Sequence, residues 1–147
     1  MSDTARNTEL VERLERAYNK RDYDTVRACV AGDFVPHTPG SEMMPAGVEG
    51  AIAANEGSFE SFSDRHTDIL EIFGEGDRVV SHVRMTGTND GALPFGGGMP
   101  ATGKAIDVDW IQISRHADDG TIQETWAQMD LPKLMVQLGA MPAPEGM

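Results

Sequence analysis

Asp130 closes a stretch rich in tryptophan and amide side chains, and a carboxylate in that position can move a proton. Asp118-Asp119-Gly120 has the composition of a three-residue hairpin turn, which sets Ala117 opposite Thr121. Counting outward from that turn puts Gln112 opposite Trp126 and Trp110 opposite Gln128. One sheet face then carries Val108, Trp110, Gln112 and Ser114, with Ile122, Glu124, Trp126, Gln128 and Asp130 on the partner strand. Two indoles with nearby amides and a carboxylate suit an aromatic, oxygenated ligand: stacking area and a few polar anchors. An aspartate against apolar walls loses hydration, its pKa rises, and it becomes a better proton acceptor near neutrality. Removing a proton α to a carbonyl needs such a base, together with a donor to the enolate oxygen. Gln112, His37 and His82 are candidates for that donor. Asp130 also precedes Leu131-Pro132-Lys133, which makes it a natural N-cap for a following helix. The two roles are compatible. Trp110 and Trp126 equally suit plain core positions, and His37 and His82 ordinary structural ones. The opposite face, with Ile111, Ile113, Ala127 and Met129, is expected to be covered by a partner subunit. All of this depends on register, because a one-residue slip sends a strand's side chains to the other face.

Other chemistries have weaker support. Gly98-Met99-Pro100-Ala101-Thr102-Gly103-Lys104 nearly spells a phosphate-binding loop, but Ala105 stands where Ser or Thr must meet magnesium. A strand rather than a helix is expected after it, so a flexible cover loop between strands is the better reading. The histidines, His37, His66, His82 and His116, show no metal-ligand spacing, and no G-x-S-x-G elbow is present. No metal or cofactor is expected. Cys29, the only cysteine, lies among Val26, Ala28 and Val30 and is expected to be a buried, inert thiol.

The 147 residues suit one domain, with an ordered core over about 8–140. Hydrophobic residues make up 39%, and the formal net charge is −12. Such a chain repels phosphate backbones and anionic lipid, so neither nucleic acid nor membrane is an expected partner. The opening residues, MSDTARNTEL, have no apolar run. A signal peptide is not expected, and the cytoplasm is the expected compartment.

These candidates need elements to hold them. Leu10, Val11, Leu14, Ala17 and Tyr18 share one helical face, with Asn7 or Thr8 as cap. A short second helix carries Val26, Cys29 and Val30, and an extended piece follows from Asp33 to His37. The spacing predicts a third helix over about Val48–Phe62. The period then changes to two, predicting strands at Arg65–Phe73, Arg78–Thr88, Ala105–His116 and Thr121–Met129, and a last helix at Leu131–Leu138. Helices followed by a meander of long strands make an α+β fold. The expected form is a strongly curved antiparallel sheet with the early helices on its concave face, a cone-shaped barrel enclosing a pocket.

Several segments, in order, resemble the SnoaL-like polyketide cyclases of the nuclear transport factor 2-like fold. They are DFVPH (33–37), GVEG (47–50), FSD (62–64), GEGDRVV (74–80), GT (87–88), PATGK (100–104) and, above all, ISRHADDGTIQETWAQMDLPKLMVQLG (113–139). The resemblance implies a homodimer and cofactor-free intramolecular aldol ring closure on a polyketide ester. It also implies that the aspartate ending the last strand, here Asp130, is the acid/base. Trp110, Trp126, Gln112, His37 and His82 would then line or anchor the site. Many relatives carry arginine where this chain has His82, and the insert at 92–99 is glycine-rich. The fold also supports isomerases, hydrolases and non-catalytic binding proteins, so these stand as the rival expectations.

Overall fold

A computed structural model describes residues 3–38, 40–93 and 98–144. Four helices, α1 (Asp3–Lys20), α2 (Tyr23–Cys29), α3 (Val48–Ser61) and α4 (Leu131–Gln137), accompany five strands. The strands are β1 (Val30–His37), β2 (His66–Glu75), β3 (Arg78–Thr88), β4 (Ala105–His116) and β5 (Ile122–Met129). They form one sheet in the order β1-β5-β4-β3-β2. The fold is α+β, as expected, with two differences in the sheet. It is mixed, because β1 runs parallel to β5. It is also open, with β1 and β2 at the edges, so the cone does not close into a barrel. A parallel pair needs a long crossover and leaves no local hairpin signal, which is why the pattern alone points to an antiparallel sheet.

α1 starts earlier than the predicted Asn7 or Thr8 cap. Asn7 lies inside the helix, buried, and accepts from the neighbouring Arg6 guanidinium. Arg6 also donates to the Asp118 carbonyl at 2.9 Å, so the hairpin turn holds the extra helical turn in place. Val11, Leu14 and Ala17 then recur at helical spacing and are buried against the sheet. Burial of one such Val or Leu side chain contributes about 1.5–3 kcal/mol. Asn19, at the end of α1, covers the β2 edge. Its side chain donates to the Thr67 carbonyl at 2.8 Å and accepts from the Thr67 N–H at 3.0 Å, replacing a missing strand. α3 begins at Gly47, whose φ of +74° excludes most side chains. A Cβ there would lie 2.0 Å from the Gly32 carbonyl oxygen, so glycine lets α3 start directly against β1.

The inward sheet face is polar at one corner. His116 is buried, its Nδ1 2.8 Å from the Gly120 carbonyl and its Nε2 2.8 Å from the Ser114 hydroxyl. A carbonyl can only accept, so Nδ1 carries the proton and Nε2 accepts from Ser114. The loop before β4 is tied down rather than loose over its described part. The buried Asn89 side chain donates to the carbonyls of Ser61 and Gly91 and accepts from the N–H and hydroxyl of Thr102. Residues 94–97, the centre of the expected cover loop, lie outside the described residues.

Two stability predictions arise here. Asn89→Ala strands several buried groups at once and is expected to destabilise the fold by about 2–4 kcal/mol in urea titrations. For His116, burial pulls the imidazole below its ordinary value, more strongly than the Gly120 bond raises it. The unfolded chain therefore takes up the proton first, and stability present above about pH 6.5 is lost as pH falls through the lower folded value. Glu15, whose carboxyl burial pushes up, acts with the opposite sign, but it is common to both proteins being compared. Between pH 7.5 and 5.5 the wild-type melting temperature is expected to fall further than that of His116→Gln. Parallel curves would remove His116 as the cause.

Candidate functional site

The hairpin turn forms as expected. The Ala117 N–H reaches the Thr121 carbonyl at 2.8 Å, and Gly120 takes a φ of +93°. Immediately beyond it the ladder shifts between Arg115 and His116, leaving Gln123 as an extra residue in β5. Trp126 therefore pairs with Ile113, and Trp110 with Met129, not with Gln128. The two tryptophans lie on opposite faces of the sheet. Trp110 and Gln112 face the helices, as do Thr125, Ala127 and Met129 of β5. Trp126, Glu124 and Gln128 face away, which corrects the single-face arrangement.

Packing on the inward face divides into two apolar clusters. One joins α1, α2 and the start of α3 to Val79 and Ile122. The other joins Phe62, Met85, Leu93, Ile106 and Val108 to α4, with Trp110 and Met129 packed against it. Val83 and Ala127 are buried between them and belong to neither. Ser81 pairs with Gln112, and Gln112 with Ala127, so this seam crosses three strands. The side chains of Ser81, Trp110, Gln112 and Thr125 have no hydrogen-bond partner among the described residues. Ser81 and Thr125 are buried and Trp110 and Gln112 half-buried, and their polar atoms are not sealed off, so this row of open donors and acceptors between two apolar walls has the character of a ligand subsite. Ser81 and Thr125 escaped the sequence reading. Ser81 was visible in principle, as the polar interruption of the inward series Val79, Val83, Met85.

The remaining candidates form separate groups. His37 stacks on Trp126 on the outward face, ring centroids 5.2 Å apart at 12°. His37 Nε2 lies 2.6 Å from Glu124 Oε2, and this bond above all holds the Glu124 carboxyl below its usual range. His82 is also outward, 2.6 Å from Asp109 Oδ2, and keeps that carboxyl low in the same way. The Lys133 ammonium stands 3.5 Å from the other Asp109 oxygen. Asp130 is the N-cap of α4 and accepts from the Lys133 N–H at 3.0 Å. It is exposed at the rim, one residue beyond the Trp110–Met129 pair. Two surface hollows, of about 340 and 200 Å³, contain none of these residues.

No helix among the described residues is long and apolar enough to cross a membrane. A comparison with curated proteins finds no match. Among solved structures, TsrD from Streptomyces laurentii is 28% identical and superposes with a TM-score of 0.83, covering 96% of this chain and 100% of its own. A protein of Jannaschia sp. CCS1 assigned as a SnoaL-like polyketide cyclase is also 28% identical, with a TM-score of 0.79 and 97% of each chain covered. IdmH from Streptomyces antibioticus, assigned as a polyketide cyclase, matches at 28% identity and a TM-score of 0.75, over 90% of this chain and 98% of its own. The sequence model of SnoaL-like polyketide cyclases matches residues 8–138, from within α1 to the end of α4, and the chain belongs to that family.

Proposed function

We propose that the protein is a cyclase-type acid/base enzyme that closes a ring by intramolecular aldol addition on a polyketide-type substrate, without a cofactor. The observation that carries this proposal is the seam of unpartnered polar groups between two apolar clusters, with the Asp130 carboxylate at its rim. A substrate chain lies along Val83, Ala127 and Met129 and stacks on Trp110. Asp130 takes a proton from the carbon between two carbonyls, and the Gln112 amide or the Ser81 hydroxyl donates to the enolate oxygen. The enolate carbon attacks a distal carbonyl carbon of the same molecule, forming the C–C bond and an alkoxide. The carboxylic acid of Asp130 returns its proton to that alkoxide. Charge delocalised over neighbouring carbonyls makes the first step accessible, so the protein chiefly positions the chain and moves one proton. The Lys133 N–H holds one Asp130 carboxylate oxygen at 3.0 Å and so fixes where the base stands.

A binding-only role has its own observation in its favour: Asp130 is exposed and fully explained as a cap. Paired variants separate the two. Asparagine also caps helices, so Asp130→Asn retains stability while Asp130→Ala loses about 1 kcal/mol. If Asp130 is the acid/base, both variants lose about 10²–10⁴-fold in turnover of a poly-β-ketone ester substrate. Equal turnover by wild type and Asp130→Asn would eliminate the mechanism. Running ketosteroids and epoxides in parallel tests isomerase and hydrolase activity at the same site.

A second copy of the chain is the proposed partner on the outward face. Phe73, Val80, Ile113 and Trp126 are register partners in one row across four strands, and His37 extends it to the fifth. Phe73 and Ile111 are more than half exposed, at 57% and 54%. A contiguous apolar row of this kind marks an interaction surface. The lone buried thiol of Cys29 suits a reducing compartment, and we place the dimer in the cytoplasm. Sedimentation is expected to give twice the chain mass for wild type and the single mass for Ile113→Lys. A monomeric wild type would end the dimer proposal.

A further inference from the structure

Arg65 is the one arginine whose guanidinium contains buried nitrogens without a partner among the described residues, at Nε and Nη1. The contrast with its neighbours is chemical. Arg21, Arg27 and Arg84, all exposed, each grip a carboxylate with two nitrogens, on Glu56, Glu49 and Asp107 respectively. The chain has 24 acidic residues against 12 lysines and arginines, so carboxylates are plentiful. Even so, Arg65 forms no close ion pair among the described residues. Its guanidinium lies over the face of Phe59 in α3 instead, 5.4 Å from the ring centroid.

Arg65 lies just before β2, two residues ahead of the inward-facing Thr67, which pairs with Met85 of the second apolar cluster. Glu15 and Tyr18 of α1 and Tyr23 of α2 are the titratable groups around it. Glu15 directs its carboxyl to the Thr67 hydroxyl, 2.7 Å away, rather than to Arg65. Glu15 is the nearby charge that most favours the cationic guanidinium, but it supplies no acceptor to Nε or Nη1. A guanidinium held among α1, α2 and α3 with two buried nitrogens unpartnered is unfavourable unless acceptors join it. The guanidinium fork fits a planar carboxylate far better than a neutral ester.

We propose that Arg65 binds a carboxylate of the substrate, so that this chain takes a free acid rather than an ester. The proposal rests on the seam being the substrate pocket. It is tested with 2-naphthoate and methyl 2-naphthoate, titrated into the ¹⁵N-labelled full chain while the Arg65 Nε–H, Trp110 indole and Gln112 amide signals are followed. The acid is expected to bind about tenfold or more tightly than the ester, a difference of about 1.4 kcal/mol. The Arg65 signal moves only with the acid, and Arg65→Gln removes the preference. Arg65→Lys, which keeps the charge and loses the fork, retains only part of it. Equal affinities with Arg65 unmoved, while Trp110 and Gln112 shift, would overturn the Arg65 assignment and leave the pocket standing. If neither probe moves Trp110 or Gln112, the pocket fails and the Arg65 assignment with it. Should Arg65→Gln fail to fold, the acid and ester titrations of wild type decide the matter alone.

Discussion

Between Arg115 and His116 the β4–β5 ladder absorbs one residue more on β5 than on β4. Sheet side chains alternate with a period of two, so one extra residue inverts everything that follows it. With Gln123 squeezed out of the pairing, Glu124 and Trp126 point away from the helices, while Thr125, Ala127 and Met129 point toward them. The inverted assignment puts the small side chain of Ala127 opposite Gln112. The bulkier indole of Trp126 at an inward position would bridge the two apolar clusters into one. The seam, the outward apolar row and the placement of Asp130 at a rim all depend on this bulge.

A divided core sacrifices apolar contact along the seam, and domains of this size usually build one contiguous core. Here the division falls where Ser81, Gln112 and Thr125 interrupt the inward faces of three adjacent strands. Each of these polar side chains makes no hydrogen bond among the described residues, and none of their polar atoms is sealed from the surface. A ligand that supplies the missing hydrogen bonds and covers Val83 and Ala127 relieves both deficits together. Arg65 extends the same logic to charge. Arg21, Arg27 and Arg84 each hold a carboxylate within the chain, while Arg65 keeps two buried nitrogens without a hydrogen-bond partner among the described residues.

Much of the architecture was legible in the chain. The α1 apolar face, the four long strands, the Asp118-Asp119-Gly120 turn and the Asp130 cap all follow from local chemistry that the structure repeats. The β4 half of the site was legible for the same reason, since strand alternation alone directs Trp110 and Gln112 to one face. The β5 half was not. Correct turn geometry predicts the first pair, Ala117 with Thr121, and a bulge just past it carries no signature in the residues Ile122-Gln123-Glu124. The parallel pairing of β1 with β5 was hidden because its partners lie far apart in sequence. The isolation of Arg65 was hidden because lack of a partner is a property of three dimensions.

Asp130 shows why cap and acid/base roles need not compete. At a strand end followed by Pro132 the chain must turn, and a carboxylate accepting the Lys133 N–H stabilises that turn. The same bond engages one carboxylate oxygen, Oδ1, and leaves Oδ2 free to take a proton. Oδ1 is then fixed by the helix, so the free oxygen is positioned without additional machinery, much as a supporting hydrogen bond orients a catalytic imidazole. An apolar chain laid over Met129 and Trp110 would bring its carbonyl-flanked carbon within reach of that oxygen. On this account a single hydrogen bond serves both the turn of the chain and the aim of the base.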